Sequence, residues 1–556
     1  MYHVSTRSKK VVRMHGMDRR IFAGAIMVLG LALSAQSPLA EDRPSARIYS
    51  LGGEHVSGII PDTYTDLTVN PAYACLVDRL TVGYARRSIY DFAPTIPYLS
   101  EDTPYRLSYY RNSFMTNEVS VYGMELSSWR AAVFAQWRIG SGQSTVSDFS
   151  LYSNSSSAMT QNWDNEDNDF GRIDLMAARA IGDDLVLGFR LQGWGYYKSV
   201  SNADSRVEES YLDGSFSELT RERKSQSATS YVGRRTSFDF QTGIMKKSGV
   251  EPRSDLVLRA SFHPIDYLNQ SASLVVDRGY NDLHEINSYA YTKGTWSDER
   301  NGNLWTFGLA LRHAFGSGIR IYAGGDVSTA SYDAEWTTTR TSYSWGYYSG
   351  GDAIQTGGFD CDGSFQGASG FLKSGKTFAL HRTLDLYLGV HGIFQRKHAE
   401  EHPVIEYSYA RHDSEDSVRI DQPTSLEYTG TAADIYLPVS IEFRPSSYFS
   451  FFSGFTLYGE WYKHVTTQPM PAIFYYNRPL AAVEPGGSIR TSDSSGQLIV
   501  PETSVTDWRR EFVSGSAVTL GFSFHYGDRF FVDVYSQSEI IPGNLQSANL
   551  DLRYVF

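Results

Sequence analysis

The chain has 556 residues, of which 20% are charged and 41% hydrophobic, a balance that excludes a disordered polymer and a bundle of membrane helices. A net charge of −12 excludes a nucleic-acid binder that works by bulk positive charge. The two cysteines, Cys75 and Cys361, are too few for a disulfide framework or a zinc ribbon and read as lone thiols.

The N-terminus carries Lys9, Lys10, Arg13, Arg19 and Arg20 ahead of an apolar run at 21–35, with the small residue Ala40 just before Glu41. This order of basic, apolar and small-residue regions predicts a cleaved secretory signal over 1–40. Translation starting at Met14 or Met17, and cleavage after Ser34, are alternatives. The apolar run is shorter than the roughly 20 residues a helix needs to cross a bilayer, and no longer apolar stretch follows.

Residues 41–78 come next, interrupted by Gly52, Gly53, Gly58, Pro61 and Pro71, which rules out a regular strand pair there. Beyond 79, period-two alternation recurs. Leu185, Leu187, Phe189 and Leu191 oppose Gly188, Arg190, Gln192 and Trp194. Trp305, Phe307, Leu309 and Leu311 oppose Thr306, Gly308, Ala310 and Arg312. Leu386, Leu388 and Val390 oppose Asp385, Tyr387, Gly389 and His391, and Ile435, Leu437, Val439 and Ile441 oppose Tyr436, Ser440 and Glu442.

Tight turns at Gly182-Asp183, Gly316-Ser317-Gly318, His381-Arg382-Thr383, Pro445-Ser446-Ser447 and Gly527-Asp528 join neighbouring strands. Long polar stretches at about 140–169, 199–229, 277–302, 333–365, 398–432 and 465–509 lie between them and are expected to be loops. Alternating short turns and long loops predict an antiparallel transmembrane β-barrel over 79–556, of about 16 strands within a range of 14–18. Region 91–116 has room for one further strand pair. The final strand alternates Leu550, Leu552, Tyr554 and Phe556 on one face. Ending on an aromatic, it resembles the assembly signal of bacterial outer-membrane barrels, which makes Phe556 the candidate contact for the barrel-assembly machinery.

Within 50–76, Gly52, Gly53, Asp62 and the triplet Asn70-Pro71-Ala72 resemble the N-terminal segment of FadL-type outer-membrane transporters and the related PorV-like barrels. The resemblance covers under a tenth of the chain, and Tyr73 departs from the glycine usual there. It implies that 41–78 folds inside the barrel as a plug, and that the protein passes small or hydrophobic molecules.

Other motifs carry less. His398-Ala399-Glu400-Glu401-His402 matches an inverted zinc-protease pattern, but that chemistry needs a helix, and this stretch ends a strand before Pro403. The acidic runs 164–169 and 360–363 lack calcium-loop spacing. No phosphate loop, dinucleotide fingerprint or nucleophile elbow occurs, so neither a cofactor nor catalysis is expected. A lipid-exposed barrel wall must be apolar, so charges belong inside. Alternation assigns Arg130, Arg138, Arg190, Arg312, Arg320, Asp326, Asp385, Glu442 and Glu460 to the lumen, where they serve as internal ion pairs or as a polar path. The expected setting is the outer membrane, with lipid, lipopolysaccharide and the assembly machinery as partners and no nucleic acid. A structural or accessory barrel serving secretion or surface interaction is the alternative to a channel.

Overall fold

The computed structural model describes residues 45–556 except 95–104, 154–155, 212–218, 249–250, 281–285, 346–350, 403, 412–416, 424–425, 471–472, 477–480, 485–487, 492–495, 500–502, 528 and 540–546. The signal at 1–40 lies outside the described residues.

Sixteen strands pair antiparallel, each with its sequence neighbour. In chain order they are β1 (Thr81–Pro94), β2 (Tyr105–Leu126), β3 (Trp129–Ser153), β4 (Ser156–Ile181), β5 (Leu185–Tyr211), β6 (Leu219–Ser248), β7 (Glu251–Tyr280) and β8 (Ile286–Ala314). There follow β9 (Ile319–Trp345), β10 (Gly351–His381), β11 (Leu384–Glu401), β12 (Leu426–Ser446), β13 (Phe449–Met470), β14 (Thr503–Tyr526), β15 (Phe530–Glu539) and β16 (Ser547–Val555). β16 returns to pair with β1 from Thr81 opposite Val555 to Ile89 opposite Ser547, which closes the barrel. All sixteen centres expected from alternation are present, and no further pair occupies the described part of 91–116, which β1 and β2 share.

The expected polar loops are largely strand. β6 and β7 are 30 residues long and β10 is 31. At about 3.3 Å per residue such strands reach roughly 100 Å, several times a bilayer core of about 30 Å. They run on past the apolar zone as tall hairpins. Within 398–432 and 465–509, short strands at Val404–Arg411, Ser417–Pro423, Ile473–Tyr476 and Gly496–Ile499 extend the same sheet. Pairing needs only backbone groups. Where both faces are wet, polar side chains hide the period-two signal without weakening the ladder.

The faces divide as the alternation requires. Leu185, Leu191, Phe307, Leu309, Leu388 and Val390 are exposed on the outside, while Val186, Arg190, Arg312, Asp385 and His391 are buried within. Exposed aromatic side chains stud this apolar face, among them Trp305, Phe307 and Phe315 along one strand line and Phe512, Phe522 and Phe524 along another.

Candidate functional site: the N-terminal segment against the inner wall

Residues 45–78 form two short helices, α1 (Ala46–Ser50) and α2 (Thr63–Val69), with 3-10 turns at Gly53–His55 and Pro71–Leu76. Local chemistry fixes them. Ser45 caps α1 by accepting from Ile48 N at 3.2 Å, and Asp62 caps α2 by accepting from Thr65 N at 2.9 Å. Asn70 opens the last turn by accepting from Ala72 N at 2.9 Å, with Pro71 at the first helical position. Gly52 and Gly53 hold φ of +123° and +62°, and the segment turns there between α1 and the wall.

The segment touches inward-facing side chains of strands from all round the barrel. Arg47 grips Glu442 of β12 with two nitrogens, Nη2 at 2.8 Å and Nε at 3.2 Å, and Tyr387 of β11 donates to the same carboxylate at 2.6 Å. Arg312 of β8 bridges Asp66 of α2 and Asp255 of β7, the latter at 2.8 Å, and lies 4.5 Å from the Tyr73 ring. Tyr73 donates its hydroxyl to Asp255 at 3.0 Å. Arg190 of β5 donates to the Thr68 carbonyl at 2.8 Å and pairs with Asp174 of β4 at 2.5 Å. Lys373 of β10 donates to the Glu54 carbonyl at 2.7 Å, and Tyr64 hydrogen-bonds Glu118 of β2. Near β16, Ala46 N donates to Asp551 Oδ2 at 3.2 Å. Buried charge is costly unless paired and hydrogen-bonded; Arg47, Arg190 and Arg312 each meet a carboxylate, and Lys373 is held by the Glu54 carbonyl.

Glycines on the wall admit the segment's backbone. A Cβ on Gly188 would lie 2.2 Å from Ala72 N, and one on Gly454 2.8 Å from the Leu51 carbonyl carbon. Apolar contacts complete the seat. Leu67, Ala72, Ala74 and Val77 pack with Phe134, Met176 and Val186, while Ile48, Leu51, Val56 and Ile59 pack with Val257, Tyr322 and Phe452.

One contact is titratable. His55 stacks on Tyr436 at 4.0 Å between ring centroids, and its Nδ1 lies 3.2 Å from Nδ1 of His391. At most one of these nitrogens carries a proton. Burial, with Lys373 adding to it, pushes the His55 imidazole down to about 3.

The residues assigned to the lumen divide into groups. Arg190, Arg312 and Glu442 meet the N-terminal segment, as above. Asp326 is buried and accepts from Ser369 at 2.7 Å; Asp385 pairs with Arg444; Glu460 accepts from Tyr436 at 3.0 Å and Tyr462 at 2.5 Å. Arg130 is half-buried 3.7 Å from Glu125, and Arg320 holds an inward position opposite Ala314. The Arg138 side chain is outside the described residues. Of the two acids at hand, Asp66 reaches a wall arginine, whereas Asp62 is a cap lying 3.8 Å from Arg47 of its own segment. Arg47, Asp255, Lys373, Glu118 and the His55–His391 pair escaped the sequence reading. Asp255 and Lys373 sit at inward register positions, so alternation alone was able to find them; nothing in the sequence marks His55. His398 and Glu401 lie on strand β11, not on a helix, and Cys75 and Cys361 are free thiols.

No protein-family model matches this chain, and no curated protein matches it in sequence. Among solved structures, the chain is similar to the CymD monoaromatic hydrocarbon channel at 11% identity, covering 82% of this chain and 99% of that one, with a TM-score of 0.27. A FadL homologue of Pseudomonas aeruginosa shows 10% identity over 93% of this chain and 98% of its own, with a TM-score of 0.26. The ferric enterobactin receptor PfeA of the same organism shows 8% identity over 86% and 80%, with a TM-score of 0.23. The barrel itself stands on the strand pairing.

Proposed function

We propose that this protein is an outer-membrane β-barrel whose N-terminal segment plugs the lumen and gates the passage of small polar molecules. The observation that carries this reading is the ring of polar contacts from residues 45–78 to inward side chains of β2, β5, β8, β10, β11 and β12. An empty 16-stranded barrel encloses an aqueous channel, and a segment seated across it blocks flow. The inner wall carries paired charges among its apolar side chains, and those charges favour polar solutes over hydrophobic ones. The role is one of binding and gating, not catalysis. Lipid and lipopolysaccharide surround the belt, and the assembly machinery reads the last strand. A plug inside the barrel is what the FadL-type resemblance implies, whereas the charges on the wall point to polar solutes.

Single-channel conductance of refolded protein with and without residues 41–78 tests the reading. Removal is expected to raise conductance severalfold. Unchanged conductance in correctly folded barrels would sink the gating role and favour the accessory reading, in which the tall hairpins serve surface contacts.

A further inference from the structure

The inner wall neutralises most of its own carboxylates. Asp174, Asp239, Asp255, Asp298 and Asp533 each pair with an arginine. Asp434 of β12 and Glu460 of β13 depart from that pattern. They stand directly opposite each other across the two strands, and among the described residues neither pairs with a lysine or an arginine. Like charges placed opposite in a sheet repel. Glu460 accepts from the Tyr436 and Tyr462 hydroxyls at 3.0 and 2.5 Å, but Asp434 Oδ1 is buried with no hydrogen-bond partner. A buried acceptor that meets no donor costs stability.

The position of this pair matters as much as its charge. The N-terminal segment follows the inner face of β12: Arg47 meets Glu442, the Leu51 carbonyl accepts from Ser440, and His55 stacks on Tyr436. Asp434 is the next inward position, just beyond the turn at Gly53–His55. Asp434, Tyr436, Tyr458, Glu460 and Tyr462 are all half-buried, so the group borders the lumen instead of the packed seat. Tyr436 and Tyr458 face each other across the same two strands, with ring centroids 6.1 Å apart. Lys373 is committed to the Glu54 and Ser57 carbonyls at 2.7 and 3.4 Å. Three carboxylates, Glu54, Asp434 and Glu460, outnumber it, so the sum of charge around the turn is negative.

We infer that Asp434 and Glu460, with the tyrosines around them, form a subsite for an organic ammonium ion that carries N–H donors, such as a primary amine or diamine. The chemistry selects the class. A positive charge between the two carboxylates turns their repulsion into attraction. An N–H group supplies the donor that Asp434 Oδ1 lacks, and tyrosine rings attract cations to their faces. A quaternary ammonium brings the charge without the donor. A hard divalent cation needs about six to eight oxygens, and among the described residues no three His, Cys, Asp or Glu side chains group to hold a metal. Anions are repelled, and neutral solutes leave the carboxylate pair unbalanced.

This inference names a substrate class for the proposed conduit and rests on that reading only for passage, not for binding. Two measurements keep the two apart. The first is calorimetric titration of the full chain in uncharged detergent, at physiological ionic strength so that exposed acids are screened. Butylamine and putrescine are expected to bind, choline several times more weakly than butylamine, and glucose not at all. Asp434→Asn and Glu460→Gln keep the side-chain shapes and are each expected to weaken putrescine binding at least tenfold. Unboiled gel mobility reports folding of each variant. Binding of neither amine, or parental affinity in both variants, overturns the site. Choline binding as tightly as butylamine, or calcium binding that putrescine does not displace, overturns the amine class. The second measurement is planar-bilayer current in the presence of putrescine; amine binding in a barrel that passes no current refutes the conduit and leaves the site standing.

Discussion

Replacing Arg312 by methionine isolates the strongest contact between the N-terminal segment and the wall. Methionine keeps the length and apolar stem but leaves Asp66 of α2 and Asp255 of β7 facing each other, both buried, without the guanidinium that joined them. Removing one partner of a buried pair costs about 3–5 kcal/mol. Because the stranded acids lie on opposite sides of the interface, that cost falls on docking rather than on the barrel. Every 1.4 kcal/mol is tenfold, so the undocked population should rise by roughly 10²–10³ or more. Maleimide labelling reads it: Ala74→Cys, at a position 1% exposed, in a background carrying Cys75→Ser and Cys361→Ser, reacts only from the undocked state. Arg221→Met serves as the control. That arginine is about half exposed on its pair with Asp277, away from the segment, and a surface pair contributes about 0–1 kcal/mol. A labelling rate within threefold of the parent in Arg312→Met, with normal labelling in the control, would refute the idea that the buried bridge holds the segment in place.

Three further outcomes follow from the same geometry. His55 is neutral when docked and protonates only near pH 3, whereas free histidine protonates near 6.5, so docking is unaffected above about pH 6.5 and weakens up to tenfold per unit as pH falls from 6.5 towards 3. The groups facing it are His391, Lys373, Tyr436 and Glu460, with Glu54 beside it and Asp434 close to Tyr436; labelling of the Ala74→Cys reporter in His55→Gln should lose part of the acid slope, and an identical slope defeats the assignment. Leu388→Arg should impair membrane insertion, since arginine near the midplane costs about 2–4 kcal/mol, while Gly188→Ala should leave insertion intact yet raise labelling, because its Cβ meets the Ala72 backbone; the reverse pattern would mean the register is wrong. Replacing the exposed Phe556 with aspartate should lower the amount of heat-modifiable barrel in the outer membrane without reducing export, and normal assembly would count against its role as a signal.

The barrel was legible because burial on one side and lipid on the other force strict alternation. Leu185 through Leu191 and Ile435 through Ile441 declare their faces residue by residue, and the parity of turns then sets the strand count. Legibility ended where that asymmetry ended. The Thr- and Ser-rich stretch at 337–344 is paired strand, yet with neither face buried nothing in its pattern separates it from a loop. In the candidate site, wall charges such as Arg190 and Arg312 followed from register. Their partners did not, because contacts such as Arg47 with Glu442 join residues hundreds of positions apart and depend on how an irregular segment folds back. Asp62 and Asp66 looked equivalent in sequence; only the start of α2 between them made one a cap and the other an ion-pair partner.

The reach of the N-terminal segment to β16 has a consequence for the order of assembly. Its partners run from Glu118 on the second strand to Asp551 on the sixteenth, and α1 lies beside the seam where the last strand meets the first. The stretch exported first therefore finds its complete seat only after the stretch exported last has zipped into place. Seam closure and completion of the seat are therefore linked, so a chain whose β1–β16 seam stays open lacks both a wall and a full seat for the segment. Quality control that recognises an unseated N-terminus would thereby report on the far end of the molecule.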